Sequence, residues 1–247
     1  MAFLSLQDVC YSYAENNLIV DTVSFDVEKG KFHSLLGKSG CGKTTLLKLA
    51  AGLLTPNEGC ILLQGERIKP SDKIGFVFQA PTLLEWKTVI DNVLLPVSLK
   101  RKVTKEHVEK AESLLDLMGL SHLKMQYPTR LSGGQQSRVS IARALIGSPT
   151  MLYMDEPFSA LDAITREELQ DDLLRLCNLH RMTVLFVTHD ISEAVYLSDR
   201  IAVMDKGRII NDFSVDLQYR HTPDSRYSGQ FSQLCLEIRT AISGGQR

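Results

Sequence analysis

Residues 37–44 read Gly37-Lys38-Ser39-Gly40-Cys41-Gly42-Lys43-Thr44, which fits the pattern G-x-x-x-x-G-K-[ST]. In this pattern, glycines let consecutive backbone N–H groups turn toward phosphate oxygens at the N-terminus of a helix. Lys43 is expected to reach the β and γ phosphates of a nucleotide, and the Thr44 hydroxyl to hold Mg²⁺. The predicted phosphate-binding residues are Gly37, Ser39, Gly40, Cys41, Gly42, Lys43, Thr44 and Thr45.

The segments around this loop have the order strand, loop, helix that phosphate binding requires. A short apolar strand, residues 32–36, leads into the loop, and a helix over residues 44–51 continues from it. Further upstream, Val23, Phe25 and Val27 alternate with polar residues, which is typical of a half-buried strand. We therefore expect an α/β fold with an antiparallel sheet near the N-terminus.

Three later apolar runs indicate buried parallel strands, and each run ends at a polar residue. The runs are residues 75–78, 151–154 and 184–187. They end at Gln79, at Asp155 and, after Thr188, at His189. Ligands bind at the carboxyl ends of parallel strands, so these three endings are predicted to converge on one site.

Helical periodicity replaces strand patterns between Gln79 and Ser132. Apolar residues share one stripe after Thr104, a predicted N-cap: Val108, Ala111, Leu115 and Met118. A second amphipathic helix is predicted near the end of the chain from Phe231, Leu234, Cys235, Ile238 and Ile242. We therefore predict a single domain over residues 1–247, with residues 80–145 inserted into it as a helical lobe.

Charge and cysteine content exclude some classes of protein. Lys plus Arg is 28 and Asp plus Glu is 29 among 247 residues, a balance that does not favour nucleic acid as the main partner. The five cysteines have no C-x-x-C spacing, which indicates a reducing, cytosolic compartment. No segment approaches the roughly 20 apolar residues needed to cross a bilayer, so a membrane role is expected to require a partner.

Asp155 and Glu156 carry the chemistry predicted at the second strand end. Asp155 suits the Mg²⁺ shell, and Glu156 is placed to polarise a water that attacks phosphorus. Each of these endings also has a plainer interpretation. Strands often end in acids, and lone polar residues such as His189 and Gln79 are often hydrogen-bonded at the surface.

A second anion site is predicted at Ser132-Gly133-Gly134-Gln135, ahead of a helix over residues 135–146. Exposed backbone N–H groups and the helix dipole favour negative charge there. One chain cannot use both anion sites on one phosphate if the sites lie on separate lobes.

Leu131 to Gln135, placed between the phosphate loop and Asp155-Glu156, resembles the ATP-binding subunit of an ABC transporter. The resemblance covers almost the whole chain. It implies a P-loop ATPase core with a mixed or parallel sheet, and two copies that close head to tail over two ATP molecules. It also implies that residues 132–135 cap the γ phosphate held by the second copy.

The same resemblance assigns roles to individual residues. It places Lys43, Gln79, Glu156 and His189 in catalysis, with His189 contacting the γ phosphate and Gln79 reaching Mg²⁺ and the water. Thr44, Gln79 and Asp155 would bind Mg²⁺. An aromatic residue would stack under adenine, either Tyr13, which we favour, or its neighbour Tyr11; core packing is the other interpretation of Tyr13.

Residues 78–93 resemble the segment through which importer ATPases meet the coupling helix of a membrane permease. The amino-acid sequence of this segment is most similar to that of importers of nitrate, sulfonate, taurine and pyrimidine precursors, although Glu85 stands where those usually carry proline. Trp86 is either an interface anchor or a core residue. The expected partners are a second copy, an integral permease and, indirectly, an extracytoplasmic solute-binding protein. The chain itself is expected at the cytoplasmic side of the membrane. The expected solute is a small organic or inorganic anion or a similar small molecule.

Two rival functions remain open from the sequence. A soluble ABC-type ATPase could act on nucleic acid or ribosomes, but such relatives generally carry two ATPase units or long insertions. A scaffold that binds nucleotide without hydrolysis would lack a catalytic group, and Gln79, Glu156 and His189 are all present.

Overall fold

A computed structural model describes residues 2–14, 17–69, 74–217 and 222–244. The described residues fall in two compact units, which divide the chain into Met1–Pro70 with Arg181–Arg247 and, between them, Ser71–His180. The strands are β1 (Ala2–Ser12), β2 (Leu18–Glu28), β3 (Phe32–Leu36), β4 (Glu58–Leu63), β5 (Glu66–Arg67), β6 (Ile74–Val77), β7 (Met151–Asp155), β8 (Thr183–Thr188), β9 (Arg200–Asp205) and β10 (Arg208–Ser214). The α-helices are α1 (Lys43–Ala50), α2 (Val89–Ser98), α3 (Lys105–Leu117), α4 (Gly133–Leu145), α5 (Ala163–His180), α6 (Ile191–Leu197) and α7 (Gly229–Gly244).

The first unit contains the expected antiparallel sheet, with strand order β2-β1-β4-β5. Sequence patterns predicted β2 but missed β1, so Tyr13 directly follows a complete strand rather than preceding the first one. The alternation of buried and exposed residues along β1 breaks at Gln7 and Asp8, which are both exposed, and Asp8 has φ 48°. The pairing of β1 with β2 shifts register between Leu6 and Val9, as expected where an extra residue bulges from a strand.

A second sheet in the first unit positions the phosphate loop. Its described order is β10-β9-β3-β8, and β3 pairs in parallel with both β8 and β9. All residues of β3 and β8 are buried, as the continuous apolar runs predicted. Leu36 and Thr188 are register partners, so Gly37 and His189 follow at the same edge of this sheet.

Three α-helices lie within residues 80–145 of the second unit, where β6 and β7 pair in parallel. Thr104 caps α3 as predicted, in a capping box with His107. Ala111, Leu115 and Met118 are buried. The inserted lobe with these bounds stays a prediction.

The predicted terminal helix corresponds to α7, in the first unit, where Phe231 and Ile238 are buried. Among the described residues, no helix combines the length and apolar character needed to cross a membrane.

Candidate functional site

The phosphate loop joins β3 to α1, and two of its glycines are required by close packing. A Cβ on Gly37 would lie 2.3 Å from the Met204 carbonyl oxygen, and one on Gly42 would lie 2.6 Å from that of Ile19. Gly42 is the N-cap of α1 with φ 105°, a conformation that glycine adopts without steric cost. The loop backbone is therefore held tightly at the helix N-terminus that would receive phosphate.

Lys43 is only 4% exposed, and its ammonium folds back over its own loop. The Nζ atom donates to the carbonyl oxygens of Gly37 at 2.8 Å and Lys38 at 2.9 Å. These bonds satisfy a buried cation, which would otherwise be strongly destabilising. Cys41 lies 3.9 Å from the same nitrogen, and burial raises the pKa of its thiol. Cys41 is therefore a neutral part of the loop wall.

Tyr13 lies beside the first turn of α1. Its hydroxyl is 3.3 Å from the Thr45 Oγ1 atom, and its ring meets Tyr11 edge-on with 5.0 Å between centroids. Tyr13 is 58% exposed, which argues against a core-packing role. Thr44, also in this turn, is half-buried.

His189 is exposed after β8, between two residues whose backbones are well fixed. Thr188 is buried; its hydroxyl donates to Glu193 at 2.6 Å and accepts the N–H of Asp190 at 3.0 Å. Asp190 caps α6 by accepting the N–H groups of Ser192 and Glu193. The structure thus brings the phosphate loop and His189 to one sheet edge in the first unit.

The acidic strand end lies in the second unit. Asp155, at the end of β7, is buried, and Glu156 is half-buried with φ 44°. Left-handed backbone at a non-glycine residue costs about 1–3 kcal/mol and clusters at functional sites. The Gln79 side-chain nitrogen lies 3.5 Å from a Glu156 carboxylate oxygen, a long contact that nevertheless brings two predicted catalytic residues together.

Ser132 and Gln135 form a reciprocal cap at the start of α4. The Ser132 hydroxyl accepts the Gln135 N–H at 3.3 Å, and the Gln135 side chain accepts the Ser132 N–H at 2.9 Å. The helix consequently begins at Gly133, two residues earlier than predicted. Both glycines lie in its first turn.

The two glycines have different surroundings. Gly133 is exposed, and a Cβ there would lie 3.8 Å from the nearest atom, the Ala160 carbonyl oxygen. Gly134 is buried, and a Cβ there would lie 2.6 Å from the Thr165 Cγ2 atom. Packing therefore requires Gly134, while Gly133 presents bare backbone outward.

Trp86 is 74% exposed, which excludes a core role. Its loop is shaped by two residues that sequence patterns did not identify, Asn92 and Arg143. Asn92 has no exposed surface, and Arg143 bonds to main chain 61 residues away. No local pattern could have revealed the contact of Arg143, because its partner lies so far away along the chain. The convergence of the sites in the two units remains a prediction.

The oxygen donors present suit a hard cation. Among the described residues, no group of three His, Cys, Asp or Glu side chains could hold a metal ion. Mg²⁺ typically takes only one or two carboxylates, with waters and substrate phosphates supplying the other oxygens. The Thr44 hydroxyl and the Asp155 carboxylate, each in its own unit, are donors of the required kind.

Comparison with known proteins gives a consistent family. The family model described as ABC transporter matches residues 20–159. The aliphatic sulfonates import ATP-binding protein SsuB of Bacillus thuringiensis subsp. konkukian is 44% identical over 230 residues, covering 92% of this chain and 89% of that protein. The bicarbonate transport ATP-binding protein CmpC of Synechocystis sp. is 46% identical over 188 residues, covering 75% of this chain and 28% of that longer protein.

Solved structures agree in fold. The chain cbiO1 from Clostridium perfringens, part of the ABC transporter complex cbiONQ, has a TM-score of 0.80 at 26% identity, covering 99% of this chain and 98% of that one. The ATP-binding cassette MJ0796, solved as a dimer in a post-hydrolysis state with ADP and Pi, has a TM-score of 0.78 at 31% identity, covering 86% of this chain and 99% of that one.

Proposed function

This chain belongs to the ABC transporter family, and from that premise we propose that it is the ATP-hydrolysing subunit of an importer. The observation that carries the proposal is the complete phosphate loop. In it the buried Lys43 ammonium donates hydrogen bonds to two loop carbonyl oxygens, and phosphate oxygens can take the place of these acceptors. His189 at the same sheet edge supports it. ATP binds there, with Tyr13 stacking on adenine.

The proposed reaction is attack by water on the γ phosphorus, in line with the bond to the β–γ bridging oxygen, which breaks to release ADP and phosphate. Glu156 accepts the proton of the water or orients it, and Gln79 and His189 position the water. Lys43 stabilises the charge that develops on the phosphate oxygens. Thr44, Asp155 and Gln79 would hold Mg²⁺, which would offset the negative charge of the β and γ phosphate oxygens.

A second copy completes each site in this proposal. The exposed start of α4 offers the Ser132 hydroxyl and the Gly133 N–H to the γ phosphate held by the partner subunit. ATP then stabilises the dimer because it binds the closed form more tightly than it binds the separate chains. The dimeric cassette among the structural relatives supports this arrangement.

A membrane permease is the proposed partner of the second unit. A cavity of about 420 Å³ there has an apolar wall that includes Phe76, Leu95 and Leu99, and cationic side chains that include Lys100 and Arg101. Its apolar and cationic lining suits a short permease helix with apolar and acidic side chains. Docking would hold this chain at the cytoplasmic face of the membrane, with a solute-binding protein on the opposite side.

We propose a small organic or inorganic anion as the transported solute. The support is the relatives themselves, which are named for import of aliphatic sulfonates and transport of bicarbonate. Uptake of labelled alkanesulfonate, bicarbonate and nitrate, compared between cells with and without this chain, tests the solute class. Loss of none of these activities would refute it.

The permease proposal is tested by purification of the tagged chain from native membranes in mild detergent. An integral, multi-span protein should co-purify with the wild-type chain and be lost from Trp86→Ala. The matched control is Tyr227→Ala, which removes another exposed aromatic ring. Recovery of ribosomes or nucleic acid instead would favour the soluble alternative and refute the importer.

The hydrolysis proposal is tested separately with Glu156→Gln. This variant should bind ATP, lose most turnover and elute as a dimer on a sizing column. Normal turnover would show that Glu156 is not the catalytic carboxylate.

A further inference from the structure

One arginine ties the loop at residues 79–88, here called the docking loop, to α4. The Arg143 Nη1 atom donates to the Thr82 carbonyl oxygen at 2.8 Å. Its Nη2 atom donates to the Pro81 carbonyl oxygen at 2.7 Å and to the Thr82 hydroxyl at 3.1 Å. Three bonds from one planar group to consecutive residues fix both position and orientation of this segment.

The other end of the docking loop is fixed by Asn92, which is fully buried in α2. Its Oδ1 atom accepts the Leu84 N–H at 2.7 Å, and its amide nitrogen donates to the carbonyl oxygens of Leu84, Lys87 and Thr88 at 2.9–3.1 Å. Between these fixed points, Trp86 projects to solvent. The docking loop is thus a rigid projection held by two side chains.

The contact with Arg143 includes strained backbone. Thr82 has φ 46°, a left-handed conformation that a β-branched residue adopts at a cost of about 1–3 kcal/mol. Arg143 is half-buried, which partly desolvates its guanidinium and lowers its pKa, so the charge depends on the carbonyl oxygens around it. A displaced loop would break these three hydrogen bonds, so movement of the loop and movement of Arg143 are energetically linked.

Helix α4 carries this link to the second anion site. Arg143 lies in the last turn and Gly133 in the first, ten residues or about 15 Å apart along the axis. A helix with its backbone bonds intact moves as one body over this distance. The docking loop itself begins at Gln79, which contacts Glu156.

We infer that Arg143 is a positioning residue that transmits displacement of the docking loop to the Ser132–Gly133 end of α4. The inference rests on the proposed function, in which that end meets the partner's ATP and the docking loop meets the permease. Coupling between two sites is reciprocal. ATP-driven dimerisation must therefore change the docking loop through Arg143 even when no permease is bound.

The test measures hydrogen exchange of backbone amides in the full-length Glu156→Gln chain, with and without ATP and Mg²⁺. ATP should change exchange at residues 83–88. Adding Arg143→Met should abolish most of this change, and Arg143→Lys should restore part of it, since one ammonium cannot span both carbonyl oxygens. The matched control is Arg175→Met, whose side chain is 77% exposed. A sizing column confirms dimerisation of each variant.

A second readout uses the complex with the co-purified permease. Arg143 also lines the cavity proposed for the permease helix, so the amount of bound permease is measured for each variant. At equal bound permease, Arg143→Met should lower the permease-stimulated increase in kcat by about fivefold or more, with KM for ATP little changed. Arg143→Lys should be intermediate. If Arg143→Met does not fold, Arg143→Lys carries both measurements.

The inference is overturned if Arg143 variants show the same ATP-dependent exchange at residues 83–88 as the control, or the same stimulated kcat. Loss of permease binding in parallel with thermal stability would show a merely structural role and overturn it too. Failure of Glu156→Gln to dimerise with ATP would refute the proposed dimer, and the inference would fall with it. Dimerisation with unchanged exchange refutes the inference alone.

Discussion

Gly134→Ala tests whether close helix packing, rather than ligand contact, requires the second glycine of Ser132-Gly133-Gly134. The added Cβ would lie 2.6 Å from the Thr165 Cγ2 atom, whereas non-bonded carbons rest at about 3.5–4.0 Å. Thr165 cannot easily turn away, because it is β-branched and its hydroxyl and N–H both bond to Asp162. Overpacking of this kind costs about 1–3 kcal/mol.

The chain offers a matched control at the neighbouring position. Gly133→Ala places its methyl 3.8 Å from the nearest atom, an ordinary contact, and gains at most about 1 kcal/mol of helix propensity. The same gain offsets part of the overpacking at residue 134. We therefore expect Gly134→Ala to be destabilised by about 1–2 kcal/mol and Gly133→Ala to be neutral or slightly stabilised. Both should lose turnover if α4 caps the partner's phosphate.

Urea denaturation followed by circular dichroism measures these differences on the nucleotide-free chain. Thr165→Ser removes the clashing methyl but keeps the hydroxyl, so adding it to Gly134→Ala should recover most of the lost stability. Equal stabilities of the two alanine variants, or no recovery with Thr165→Ser, would refute the packing explanation.

Three further predictions concern ionisation and backbone strain. Burial lowers the pKa of His33 to about 4, so the imidazole is neutral in the fold at neutral pH. The free energy of unfolding should therefore fall by up to about 3 kcal/mol as pH drops from about 6.5 to 4. His33→Gln, which can still accept the Glu28 N–H, should flatten this pH profile in urea denaturation. The Thr165 N–H holds the pKa of Asp162 below its usual range, so Asp162→Asn should be less stable than wild type at neutral pH, and thermal unfolding should show the difference disappearing as acid protonates the folded carboxylate. Glu156→Gly should unfold at a higher temperature than the equally inactive Glu156→Gln, because only glycine relieves the left-handed backbone; the reverse order would show that this backbone is not strained.

Features with a local cause were predictable from the sequence. The phosphate loop was predictable because its glycines meet a backbone requirement, and the strands β3, β7 and β8 because they are buried apolar runs. The start of α4 was misplaced by two residues. Glycine has a low helix propensity, and the reciprocal cap of Ser132 and Gln135 overrides it.

Features caused by contacts between distant residues were not predictable. The sequence marks Arg143 only as a residue of a helix, yet its partners Pro81 and Thr82 lie far away along the chain. Gly133 and Gly134 look equivalent in the sequence, and only the neighbouring Thr165 methyl distinguishes them. Packing against a second helix cannot be deduced from the spacing within one.

Glu156 and Thr82 both have a left-handed backbone conformation, Glu156 beside the proposed chemistry and Thr82 at the contact with Arg143. Glycine would adopt either conformation more cheaply, so the side chain at Glu156 must provide something that offsets the strain. At Glu156 the side chain provides the carboxylate. The Glu156 backbone is held by Ser159, whose N–H and hydroxyl both donate to the Glu156 carbonyl oxygen. At Thr82 the side chain provides the hydroxyl, which Arg143 engages together with the carbonyl oxygen. At these two of the eight described non-glycine residues with positive φ, the proposed chemistry and its control thus use the side chain of the strained residue.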